Sequence, residues 1–205
     1  MHSIAISRFG SQRRRALMET GSRAGAARWA AVVLPALVYL GFRWLLRACR
    51  VPLWAEAAGM AALCAAFAAV CCRKFPPEPL SGRKVLRILL YGAAGLAAGA
   101  LLCLLPRGET PDPSAAAVLL LCILGPACEE AVYRGLVFGA AEKLCGWIPA
   151  LLVSAALFAC GHAAPLQAAA AVPVGLVLGM IRKKEGNLLA PAAFHAALNA
   201  AALLF

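Results

Sequence analysis

Glu129, Glu130 and Arg134 stand in the string CEEAVYRG, residues 128 to 135, within one of the longest apolar stretches of a chain that is 63% hydrophobic. Placing a charge at bilayer depth costs about 2.5 to 3.5 kcal/mol on insertion scales, so ionisable groups there face a polar cavity and mark a functional site. On a helix, Glu130 and Arg134 are four residues apart and share a face, which lets the arginine neutralise that carboxylate. Glu129 points about 100° away from its neighbour. It is left free to face a cavity, where it suits a general base. The plainer alternative is a helix-packing ion pair with a spare protonated glutamate. Just ahead, Gly125-Pro126 removes a backbone hydrogen bond and permits a kink, so the carboxylates are expected to begin a separately aimed helical segment.

Two more strings carry polar groups in apolar surroundings. In FACGH, Phe158 and His162 are four apart and are expected on one helical face; in HAALN, His195 and Asn199 repeat the spacing and present an imidazole beside an amide. A lone histidine in an apolar helix is more often a hydrogen-bonded structural residue than a catalyst. The chain has only three histidines, however. His2 lies in the N-terminal tail and is assigned nothing, and the other two accompany an intramembrane carboxylate pair, which strengthens the case for a site. The nine cysteines are scattered without a CxxC pair or ligand-type spacing to histidine. They read mostly as small packing residues, with Cys128 and Cys160 near the candidate groups as a minor nucleophile alternative.

The elements that must position these groups are membrane helices. A length of 205 residues with 14% charged residues and a mean hydropathy of +0.81 is too apolar for a soluble domain and too long for a single anchor. The expected fold class is all-α, a polytopic membrane helix bundle of about seven transmembrane helices, with six to eight admitted. Apolar runs fall near residues 29–46, 51–72, 85–106, 115–140, 147–163, 164–181 and 188–205. The fifth and sixth have no charged loop between them, which also fits a re-entrant or steeply packed pair. Arg43 and Arg87 are expected to snorkel to the headgroups, and Glu56 either does the same or lines the interior. Alanine- and glycine-rich runs such as AAGLAAGA and PLQAAAAV let helix backbones approach closely. KFPPEPLSGRK and PRGETPDPS read as short interhelical loops, with Ser114 a candidate N-cap.

The net charge of +11 does not signify nucleic acid, because the basic residues cluster in loops flanking apolar helices. Their asymmetry is a topology signal that puts the N-terminus in the cytoplasm and, with seven crossings, the C-terminus outside. Residues 1–28 read as a basic cytoplasmic tail and not as a transit peptide or cleavable signal. Residues 29–205 form a single transmembrane domain.

EExxxR followed by glycine, then FxxxH, then HxxxN resembles the motif set of the CPBP intramembrane proteases, the family that includes the CAAX prenyl endopeptidases. The resemblance covers roughly residues 115–205, where the catalytic core is expected. It implies that Glu129 and His162 activate a water for attack on a scissile carbonyl and that His195 and Asn199 stabilise the oxyanion. Glu130 and Arg134 would form the supporting pair, and Phe158 the aromatic that packs the site. It further implies peptide hydrolysis without metal or other cofactor, on membrane-embedded or lipid-anchored peptide or protein substrates, in a prokaryotic cell membrane. Neither prenyl recognition nor oligomeric state follows from it.

Helix arithmetic sits awkwardly with one pairing. At about 1.5 Å per residue, His162 falls nearer the outer end of its helix than Glu129 does to that face, so the two meet only if helices tilt or break. Two rival readings stay open: a metal held by the same glutamate and histidines, although HExxH is absent, and a non-catalytic membrane scaffold or immunity protein.

Overall fold

The computed structural model describes residues 2–74, 79–104 and 114–204, with side chains from residue 24 onward. Among the described residues seven helices follow one another: α1 His2–Ala48, α2 Leu53–Lys74, α3 Gly82–Leu102, α4 Ala115–Cys145, α5 Trp147–Ala159, α6 Pro165–Glu185 and α7 Leu189–Leu204. No strand occurs among the described residues. The basic tail is helical backbone continuous with the first apolar span, Ala24–Ala48. Parts of the two proline-rich loops, 75–78 and 105–113, lie outside the described residues, as does Arg107.

Helix boundaries follow local chemistry. Ser114 caps α4 as expected, its hydroxyl accepting from the Ala117 amide at 3.3 Å, and Ser81 does the same for α3 through Lys84. Such a cap satisfies one of the four amides that a helix start leaves without partners. Gly146, at φ 83°, and Gly186, at φ 69°, supply the positive-φ backbone that ends α4 and α6, and Pro165 opens α6 at a position where its missing N–H costs nothing.

Among the described residues five helices are long and apolar enough to cross a membrane; α5 and α7 are shorter. The 13 residues of α5 rise about 20 Å, well short of a hydrocarbon core of about 30 Å. The expected fifth span, 147–163, therefore stops at Ala159, and the chain has turned before His162. The fourth runs five residues past its expected end, to Cys145.

α4 is the central helix: 44% of its apolar window is buried, against 11–17% for α1, α2 and α3. Those three carry many of their large apolar side chains outward, with Leu37, Trp44, Trp54 and Leu89 among the exposed. An apolar outer surface of this extent suits a hydrocarbon solvent. α3 and α7 touch backbone to backbone along Gly92, Gly95 and Gly99. A Cβ at Gly95 would run into the Phe194 carbonyl, and one at Gly99 would lie 2.6 Å from both the Leu198 oxygen and the Ala201 methyl. This small-residue stripe holds α7 from behind.

Ion pairs mark one end of the bundle. Arg87 bonds Glu185 at 3.2 Å, Tyr91 bonds the same carboxylate at 3.0 Å, and Lys183 bonds Glu142. The start of α3 and the ends of α4 and α6 therefore lie together. Arg87, with its side chain 60% exposed, keeps the surface position expected of it.

Candidate active site

α4 is not interrupted at Gly125-Pro126. It runs through as one helix whose turns widen to π geometry at Leu119–Leu124 and again at Glu130–Val137, with Gly125–Glu129 α-helical between. The proline is absorbed by this change of register. Gly125 donates its amide to the Leu120 carbonyl, five residues back. In that register the Leu121 carbonyl would wait for the amide of Pro126, which has none. Asn199 of α7 fills the gap, its Nδ2 donating to the Leu121 oxygen at 2.9 Å. Gly125 is needed for the same arrangement, because a Cβ there would sit 2.8 Å from the Leu120 oxygen. π turns inside α-helices are frequent at functional sites; here Glu129 ends the α segment between the two and Glu130 begins the second.

Gly135, the glycine after Arg134, has a packing reason. A Cβ there would come within 2.6 Å of the Cys71 sulfur, and Cys71 reaches past it to the Ala131 carbonyl at 3.4 Å. The second π turn is thus held by α2 on one side. On the other, Ser154 of α5, fully buried, donates to the Tyr133 carbonyl at 2.8 Å.

Glu130 and Arg134 form the pair that their spacing suggests. Arg134 Nη1 lies 3.1 Å from Glu130 Oε1, Nη2 donates to the Gly175 carbonyl of α6 at 3.1 Å, and the guanidinium lies over the Phe158 ring, 4.4 Å from its centre. Both residues are fully buried. Burying charge this deeply is tolerable only when the partners are hydrogen-bonded as well as opposite in sign.

His195 stands between the two carboxylates. Its Nδ1 is 3.0 Å from Glu130 Oε1 and its Nε2 is 3.6 Å from Glu129 Oε2. An ionised carboxylate can only accept, so Nδ1 carries a proton and the ring is oriented with Nε2 toward Glu129. Phe158 fixes the plane from the side, edge to face with His195 at 5.5 Å and with His162 at 5.1 Å.

Glu129 is not the free carboxylate expected. Its Oε1 accepts from the Tyr39 hydroxyl at 2.6 Å and from Arg43 Nη1 at 3.1 Å, both on α1. Arg43 therefore does not snorkel: its side chain is 19% exposed, and its guanidinium turns inward because a buried carboxylate offers a stronger partner than the headgroup region. Beside it lies a cavity of about 330 Å³ lined by Arg43, Arg47, Glu56, Ser114, Leu120 and Leu121, among others. Glu56, left open between surface and interior, lines this space.

His162 is not on a helical face. It lies in the connection after α5, half-buried, where its Nδ1 meets the Phe158 carbonyl at 3.2 Å. A carbonyl only accepts, so Nδ1 carries the proton and Nε2 is the available nitrogen. The helix ends before His162, and the turn brings its ring back onto Phe158. The structure brings Glu129, Glu130, Arg134, Phe158 and His195 into direct contact, joins His162 to them through Phe158, and gives Asn199 to the Leu121 carbonyl. Cys128 is fully buried and Cys160 exposed. Among the described residues no three His, Cys, Asp or Glu side chains gather as a metal-ligand set.

Sequence reasoning missed Tyr39, and it sent Arg43 to the surface. A signal was present: YLGFR places the two four residues apart in an apolar run, a spacing that mirrors Glu130 and Arg134.

Residues 111–201 match the family model for Rce1-like proteins, described as type II CAAX prenyl endopeptidase Rce1-like. No curated protein and no solved structure matches the chain at a significant level. The matched segment contains all three motifs. The resemblance to the CPBP family drawn from those motifs holds for this segment, and the family implies CAAX-protease-type activity in a membrane.

Proposed function

We propose that this integral membrane protein is an intramembrane endopeptidase that hydrolyses peptide bonds of membrane-associated or lipidated substrates, with a water activated by Glu129. The observation that carries the reading is the placement of His195 between two unlike carboxylates, one fixing its ring and the other facing its second nitrogen. Amide hydrolysis needs a base for water, a donor for the developing oxyanion and a site that limits bulk water. Each has a candidate here.

Glu129 Oε2 takes a proton from water as the water oxygen bonds to the scissile carbonyl carbon. His162, with Nε2 unengaged, shares in activating that water. The carbonyl electron pair moves onto oxygen, where Nε2 of His195, on a ring held by Glu130 through Nδ1, is placed to donate. Asn199 has one amide hydrogen on Leu121 and a second to offer the same oxyanion. Collapse of the tetrahedral intermediate breaks the C–N bond, and the proton held by Glu129 passes to the leaving amine. Glu130 and Arg134 take no proton; they hold His195 and the helix in place. The membrane location and the lipid-facing surface point to substrates that carry a transmembrane segment or a lipid.

The test is cleavage of a library of lipid-anchored and transmembrane peptides in liposomes, read by mass spectrometry, with wild-type and Glu129→Gln protein side by side. Cleavage by wild type alone, unchanged by strong chelators, is the expected result. Equal turnover by the Glu129→Gln protein would sink the mechanism, and loss with chelator would favour the metal reading.

A further inference from the structure

Helix α1 lies outside the segment that matches the family model, yet it supplies both hydrogen bonds to Glu129 Oε1. Val32, Ala36 and Tyr39, all 0–1% exposed, follow one another at steps of four and three, and Arg43 comes four residues later. These steps trace a single helical face. The register of that face delivers the Tyr39 hydroxyl and the Arg43 guanidinium to one oxygen: Arg43 Nη1 is 3.1 Å from both the Tyr39 oxygen and Glu129 Oε1, and the Tyr39 hydroxyl is 2.6 Å from that same Oε1.

We infer that Tyr39 and Arg43 are positioning residues for the Glu129 carboxylate, occupying Oε1 so that Oε2 alone is presented to water and substrate. This rests on the proposed role of Glu129 as the base. The last torsion of a glutamate is broad and two-fold, so nothing in Glu129 itself distinguishes its two oxygens. Two charge-assisted donors on Oε1 do. They also settle where the reaction takes place, because Oε2 is then the oxygen on the His195 side. Tyr39 is itself braced, edge to face against Tyr133 at 5.9 Å, and Tyr133 in turn against Phe158 at 5.5 Å. The aromatic row runs from the positioning hydroxyl to the ring that orients both histidines. Arg43 also walls the neighbouring cavity, so the residue that holds Glu129 borders both.

A positioning role predicts loss of kcat with little change in KM, since the groups act on Glu129 and not on the bound peptide. Arg43→Gln, Arg43→Lys and Tyr39→Phe are compared with wild type on a peptide that wild type cleaves in a Glu129-dependent way. Tyr39→Phe should lower kcat about tenfold and Arg43→Gln about a hundredfold, the range expected for losing hydrogen bonds to a charged group. Arg43→Lys should recover part of the loss, and KM should stay within about threefold. If wild type and Glu129→Gln cleave alike, the base assignment and this proposal fall together. If cleavage depends on Glu129 but Tyr39→Phe and Arg43→Gln keep wild-type kcat, or change KM instead, only the positioning role is overturned.

A readout without activity guards against misfolding. Thermal unfolding midpoints of Arg43→Gln, Glu129→Gln and the double variant should be non-additive, as expected of residues in contact. Additive midpoints would overturn the inference.

Discussion

The carboxylate of Glu130 lies wholly inside the bundle, its side chain 1% exposed, bonded to an arginine four residues further along its own helix. That of Glu129, next in the chain, is 12% exposed and takes its partners from α1, 86 and 90 residues away. One pair is local and sealed; the other is assembled across the bundle beside a cavity. Two glutamates of the same type and neighbourhood are thus held differently, and the proposed function assigns them different work: a permanent anion at Glu130 and a base at Glu129. His195 touches both and is the point at which the two clusters communicate.

The largest effect is expected where the clusters are exchanged in role. Glu129→Gln keeps an acceptor for Tyr39 and Arg43 but loses basicity, so kcat should fall by about a thousandfold or more with the protein folded. Its detection is the peptide-cleavage measurement above. Glu130→Ala attacks the sealed cluster and should instead unfold the protein more easily, by about 3 to 5 kcal/mol, because Arg134 is left buried and unpaired. Chemical denaturation in detergent reads this, and removing the charge as well, in Glu130→Ala with Arg134→Met, should recover much of the loss. Recovery failing to appear would mean that Glu130 matters more for His195 than for Arg134.

Asn199→Ala tests the seam between α4 and α7. Leaving the Leu121 carbonyl without its donor should cost about 1 to 3 kcal/mol of stability. A fall in kcat greater than the change in folded fraction would separate the oxyanion role from this structural one. The smallest effect belongs to Arg87→Gln at the end of the bundle. Arg87 is solvated, and Glu185, though its side chain is only 5% exposed, keeps the Tyr91 hydrogen bond when the arginine is lost, so the change should cost about 1 kcal/mol with kcat near wild type, and a larger loss would show that the burial of Glu185 sets the cost.

Much of the fold was legible because its cause is local. The apolar runs, the Ser114 cap and the Glu130–Arg134 pair each depend on residues within one or two turns of each other. The limits of that reading are equally physical. Pro126 looked like a break because it lacks an amide, and the helix continues through it because π turns and the Asn199 side chain satisfy the backbone instead. Phe158 and His162 looked helical because the spacing was right; the helix stops at Ala159, and their rings still meet at 5.1 Å because the turn folds His162 back. Arg43 looked like a headgroup anchor because nothing near it in the chain is acidic enough to hold it at depth.

Composition and spacing alone determined that the chain is an all-helical membrane bundle, which polar groups lie at depth, and which glutamate has an arginine one turn away. These follow from solvent partition and helix periodicity, and both act along the chain. Only the tertiary structure decided that Arg43 turns inward, that Tyr39 and Arg43 share one oxygen of Glu129, and that His195 bridges two carboxylates. Those contacts depend on the relative rotation and depth of α1, α4 and α7, set by packing such as the glycine stripe of α3 against α7, and no residue spacing within a single helix encodes them.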